Sequence, residues 1–285
     1  MTPLPFTLPA VLSLEALRRT DETALVQVYD DYPVSAARAA VILSREKQPM
    51  RPVIVLAELE PTGTTADGWQ PDALLALFEA IGASAFILSC PADSDLLSAA
   101  LDELVFRARI PVGVCVPHGM EGQLIPQAMS ARLLLAVDDQ SLSVLQREAQ
   151  AHDFFAALPA PEDVEDEPQR LTAVTCGQLF SIDPAIDIDA VCDISDDDVI
   201  FSRWLLEQEE SWGAIRVHVE GEDDVAVLDE NQYMLRVPLA LASDDPAVFE
   251  QAVRRFCGIA LYDGTCDFDP DFLETLHRKY GLVLL

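Results

Sequence analysis

The sequence predicts an α/β fold of TIM-barrel type, built from βα units with mostly parallel strands, as either one irregular barrel or two incomplete barrel lobes. Three observations lead there. Short runs rich in Val, Ile, Leu and Ala recur along the chain, and they are continuous rather than alternating, as strands buried on both faces must be. Patterns of helical period lie between these runs, and strand-helix alternation is the mark of a parallel sheet. A proline-rich acidic stretch near the middle breaks the series in two.

Strand candidates cover residues 24–29, 53–59, 85–89, 112–116 and 133–137 before that break, and 214–219, 237–242, 259–262 and 282–285 after it. Helical patterns at 34–46, 72–81, 93–106, 246–256 and 270–280 separate them, several opened by Asp-Ser or Asp-Pro, pairs that suit an N-cap and first turn. A long polar helix follows the strand at 133–137. Beyond it the chain reads AALPAPEDVEDEPQ, where Pro159, Pro161 and Pro168 stand among acidic residues with too little apolar surface to order the segment. The predicted organisation is a first lobe over 1–156, a linker over 157–169 and a second lobe over 170–285.

With 285 residues, half of them apolar, a substantial core is within reach. The net charge of −31, with only 18 Lys and Arg, argues against nucleic acid and anionic membranes, because binding there rests on cations displacing counterions. The six cysteines, Cys90, Cys115, Cys176, Cys192, Cys257 and Cys266, are scattered without a C-x-x-C motif, which fits free thiols in a reducing compartment. The first 20 residues carry no basic leader ahead of their short apolar run, and nowhere do about 18 apolar residues run together. These features place the protein in the cytoplasm. No G-x-S-x-G and no phosphate-cradling glycine loop occurs.

Candidate chemistry gathers at strand ends. Cys90, His118 and Asp138 each follow a strand candidate, and in a barrel of parallel strands the carboxyl ends face the site, so the three side chains form a candidate metal set with one open position. The alternative reading is a packed cysteine, a surface histidine at a Pro-Gly turn, and Asp138 with Asp139 capping the next helix. Glu58 and Glu60, ahead of Pro61-Thr62-Gly63, read either as an acid or base at a strand end or as solvated turn residues. The acidic run over 187–198 invites calcium but lacks the mid-loop glycine and terminal glutamate of an EF-hand, and Ser195 followed by three aspartates reads as a helix start. His152, His218 and His277 show no partner pattern and read as surface or satisfied core residues.

Several segments then resemble one family. Gly82-Ala83-Ser84-Ala85, Ser89-Cys90 and Pro117-His118-Gly119 are similar to the G-A-D-A, N-C and P-N-A-G elements of the homocysteine-binding barrel of homocysteine S-methyltransferases and cobalamin-dependent methionine synthases. Tyr29-Asp30-Asp31-Tyr32-Pro33 and the Ala-rich helix after it resemble the E-T-F-S-D strand end and its helix. Residues 238–285, from PLALASDDPAVFEQAVRRFCGIALYDGT to LETLHRKYGLVLL, resemble the early part of the adjoining methyltetrahydrofolate-binding barrel. The resemblance implies methyl transfer to a thiol in one-carbon and methionine metabolism, a zinc site to which Cys90 contributes, folate contacts at Ser243 and Asp263, and a corrinoid or methyltransferase protein as partner. It also implies a degenerate or truncated relative. The vicinal G-G-C-C cysteines are absent, Ala242 replaces the Asp of the folate D-S pair, and Asp263 replaces the Asn of N-S. The opening D-G-G-M-G-T strand has no counterpart, so the chain is expected to start inside what would be the barrel's middle. A non-catalytic binding or assembly subunit on the same scaffold is the alternative function.

Overall fold

A computed structural model describes residues 10–89, 94–121, 131–152, 171–194, 198–208 and 213–285. The chain divides into two compact units, Met1–Glu165 and Asp166–Leu285. The predicted linker lies outside the described residues.

The first unit holds strands β1 (Ala10–Ser13), β2 (Ala24–Val28), β3 (Val53–Glu58), β4 (Ala85–Ser89), β5 (Val112–Val116) and β6 (Leu133–Ala136). They pair in the order β1-β6-β5-β4-β3-β2, every pair parallel. This order is a ring of sequential neighbours cut once, between β1 and β2. Laid flat, the two edge strands would stand roughly 24 Å apart at ~4.8 Å per strand. Instead Leu12 of β1 and Leu25 of β2 pack against one apolar cluster that includes Ile54, Ile87, Cys115 and Leu135, so the sheet is curled into a half-barrel. A closed barrel of this kind has eight strands, two more than this sheet.

Helix α1 (Leu14–Arg19) links the two edge strands, with Leu14 and Leu17 buried in the same inner cluster. The other helices are α2 (Val34–Lys47), α3 (Pro71–Ala80), α4 (Ser94–Arg107) and α5 (Asp139–Ala151). Right-handed crossovers place helices on the outer face of a sequentially ordered parallel sheet, where Phe86 of β4 stacks on Phe78 of α3. Their starts are built locally. Pro71 occupies the first turn of α3, Asp138 caps α5, and α2, whose N-cap is Pro33, has its Val34 N–H taken by the Asp67 carboxylate at 3.0 Å.

Strand β1 adds to the strands read from the sequence. Ala10–Ser13, which was not among the strand candidates, pairs with Leu133–Ala136 and adds an edge strand to the sheet. Four residues running straight into a helix leave no separate strand signal in the sequence.

The second unit opens with an antiparallel hairpin, β7 (Leu171–Thr175) and β8 (Gln178–Ile182), turned by Cys176 and Gly177 at φ 45° and 75°. Two successive left-handed residues suit the twist of a two-residue hairpin. Then come β9 (Ile188–Asp193), α6 (Asp198–Glu207), β10 (Ala214–His218), α7 (Glu222–Asn231), β11 (Leu239–Ala242), α8 (Pro246–Arg255), β12 (Leu261–Tyr262), α9 (Pro270–Tyr280) and β13 (Val283–Leu284). The five strands lie in chain order, all parallel. The hairpin joins at their amino ends, where Val174 and Ile259 exchange backbone hydrogen bonds of 3.3 and 2.9 Å. Gly258 is required at that join, because a Cβ there would stand 2.2 Å from the Val174 carbonyl oxygen. The hairpin thus meets the sheet just ahead of β12, away from the strands' carboxyl ends.

Candidate functional site

Parallel half-barrels offer ligands the carboxyl ends of their strands. In the first unit the inner-face row at that level is set by register: Glu58 of β3 lies beside Ser89 of β4. Cys115 of β5 hydrogen-bonds to the Ser89 side chain. Burial, and then the Glu58 charge, push the Cys115 thiol up to about 11, so it stays protonated at neutral pH. Leu14 and Leu17 of helix α1 belong to the same buried cluster as Cys115, while Glu58 is exposed. Ser13 caps that helix through the Ala16 N–H at 3.2 Å and donates its hydroxyl proton to Asp139 of α5. Arg19 pairs with both Glu15 and Asp139, and Arg18 donates to Gln27 of β2 at 2.6 Å.

Of the predicted metal set, Cys90 lies outside the described residues. His118 and Asp138 meet at Ser141: its hydroxyl is 2.9 Å from His118 Nδ1, and its backbone N–H donates to Asp138 Oδ1 at 2.6 Å. The Ser141 backbone N–H and hydroxyl hold the Asp138 carboxyl below the usual carboxylate range. Asp138 thus caps α5 as its alternative reading had it, and the serine stands between the two donors. Glu121, buried beside His118, has Oε1 3.9 Å from Nδ1 and no hydrogen-bond partner on that oxygen. Among the described residues no three His, Cys, Asp or Glu side chains converge in a way that suits a metal ion.

The second unit brings more together. Asp193 ends β9, Arg216 and His218 lie two residues apart on one face of β10, Asp244 follows β11 and Asp263 follows β12. Parallel register sets Asp193 beside His218 and His218 beside Ala242. Arg216 donates from Nε to Asp263 Oδ2 at 2.6 Å and also from Nη2, while Thr265 adds its hydroxyl to Oδ1 at 2.7 Å. Burial by itself would raise the Asp263 pKa, but the Thr265 and Arg216 hydrogen bonds outweigh it and hold the carboxyl below its ordinary value. His218 Nδ1 is 3.7 Å from Asp193 Oδ1, and Nε2 is 3.9 Å from Asp244 Oδ1. The two ring nitrogens point apart, so the carboxylates flank the imidazole from opposite sides instead of focusing with it on one ion.

The two residues predicted to hold folate have other duties. Asp263 is engaged by Arg216 and Thr265, and the fully buried Ser243 accepts the Asp245 N–H at 3.2 Å within a turn. Sequence reasoning passed over Arg216 and Asp244, gave His218 no partner and took Asp193 only as part of an acidic run. The signal was present in AIRVHV, where two basic residues at a spacing of two interrupt an otherwise apolar strand and share one face.

No protein-family model matches the chain, and no curated protein matches it. Among the described residues no helix is long and apolar enough to cross a membrane.

Proposed function

We propose that this chain is a degenerate relative of the homocysteine S-methyltransferases and cobalamin-dependent methionine synthases that serves as a non-catalytic binding or assembly subunit of one-carbon metabolism in the cytoplasm. One observation carries the reading: Leu14 and Leu17 of α1 fill the inner face of the first half-barrel, over a Cys115 thiol held in its neutral form. Methyl transfer to homocysteine needs room at the strand ends and a metal that keeps a thiol ionised. The reading is supported by the leucines at Cys115 and by the lack, among the described residues, of three side chains that suit a metal ion. His118 and Asp138 are both bound to Ser141, and Asp263, aligned with a folate contact, is bound to Arg216. Zinc at full occupancy does not belong to this reading. Folate or corrinoid enters it only through a partner, a corrinoid protein or a methyltransferase, bound at the acidic surface.

The test supplies the chain with homocysteine and methylcobalamin, and separately with methyltetrahydrofolate and a corrinoid protein. Methionine and methylated corrinoid should stay at the rate without enzyme. Turnover abolished by Cys90→Ala or Asp263→Ala would replace the subunit reading with an enzymatic one and identify the half responsible.

A further inference from the structure

We propose that α1 is a displaceable plug: a short amphipathic segment of the chain occupying, as an internal ligand, the groove left open between β1 and β2, and thereby guarding Cys115. The crossover from β1 to β2 should place its helix on the outer face of the sheet, as parallel βα units do. Helix α1 instead turns Leu14 and Leu17, one helical turn apart, onto the inner cluster around Cys115 and Leu135. The strands on either side do not pair with each other, so side chains and not backbone ladders close this flank.

What holds the plug is weak by design. A helix of six residues does not persist by itself. Its side-chain anchors to the rest of the unit, Arg19 to Asp139 and Arg18 to Gln27, join exposed groups, where such contacts contribute little. Release therefore requires withdrawing two leucines and breaking the exposed contacts of Arg18 and Arg19, while the remaining sheet keeps its five strand pairings. Such a local opening belongs to the low-stability end of a protein's native fluctuations. The vacated groove would accept a helix of the same chemistry, leucines three residues apart followed by arginine, in the helix-in-groove manner. The purpose of such an exchange, admission of a partner, rests on the subunit reading. The plug itself does not, and the experiment addresses the plug alone.

Cys115 accessibility is the readout. The chain is treated with iodoacetamide under native conditions, and the Cys115 and Cys192 adducts are quantified by peptide mass mapping, Cys192 of β9 serving as reference in the other unit. Labelling of Cys115 should be slow in the wild type and about tenfold or more faster in Leu17→Ser, with the Cys192 rate unchanged. The milder double variant Arg19→Ala, Asp139→Asn, which leaves both leucines in place, should accelerate it about threefold. A synthetic peptide of residues 12–20, LSLEALRRT, added to Leu17→Ser should restore protection of Cys115. Unchanged labelling in the double variant would overturn the proposal even if Leu17→Ser does not fold. A rise matched at Cys192, or failure of the peptide to protect a folded Leu17→Ser, would overturn it as well.

Discussion

Replacing Gly113 by alanine puts a methyl group where β5 and β6 approach most closely. An ideal Cβ at Gly113 would stand 2.5 Å from Leu133 Cβ and 2.7 Å from the Leu133 carbonyl oxygen, against 3.4–4 Å for ordinary contact. The two strands must then part by about 1 Å, and they cannot do so freely, because Gly113 is registered with Leu133 in a ladder that runs to Val116 and Ala136. Overpacking of this kind costs about 1–3 kcal/mol in a close-packed interior. For a unit of this size each kcal/mol lowers the melting temperature by about 2–4 °C, so the expected drop is roughly 2–12 °C. Differential scanning calorimetry measures it, and the fluorescence of Trp69, buried in the first unit, reports which transition moved. A Gly113→Ala protein melting within about 1 °C of wild type would show that β5 and β6 are not paired in this register.

Further outcomes follow from the same structure. Arg216→Met removes the partner of a mostly buried carboxylate and should destabilise the second unit by about 2 kcal/mol, discounted from a fully buried pair because Thr265 remains, and Arg216→Met with Asp263→Leu should recover part of the loss; chemical denaturation would contradict this if the single variant were neutral. Because the folded-state pKa of Asp263 is depressed, its contribution is complete above the unfolded value near ~3.9 and is lost as pH falls through the folded one, so Asp263→Asn should flatten the acid limb of the stability curve below about pH 4. The Cys115 thiol is shifted upward, so in the unfolded chain it ionises first, and stability should decline between about pH 8.5 and the folded value near 11, a decline that Cys115→Ala should remove from the thermal melts. Asp67→Ala frees the Val34 N–H at the start of α2 and should cost about 1 kcal/mol in urea denaturation.

The sequence was most legible where burial is two-sided. Strands β2 to β6 show as continuous apolar runs because one face meets the helices and the other the inner cluster, and their parallel pairing followed from the helices between them. Strand β9 was not legible. One face of it is open to water, so Asp189, Val191 and Asp193 alternate with half-buried residues, and the aspartates made it read as an acidic loop. The β7–β8 hairpin was hidden likewise, since its turn is Cys176-Gly177 and not one of the stronger Asn-Gly or Asp-Gly pairs. For α1, no periodicity in six residues could announce a helix, still less one seated on the inner face. The carboxyl-end cluster of the second unit was missed because its members are far apart in the chain: His218 gains Asp193 and Asp244 only through the register of β9, β10 and β11.

The metal content of the protein, purified without oxygen, tests the central claim most directly, because methyl transfer to homocysteine in the family proposed for this chain depends on a thiolate-bound zinc, and Cys90 is the residue to which the proposal gives that ligand's place. The account predicts far less than one zinc per chain and no change on Cys90→Ser. One tightly held zinc per chain, lost on Cys90→Ser, would contradict it and return the first half-barrel to the class of working thiol methyltransferases.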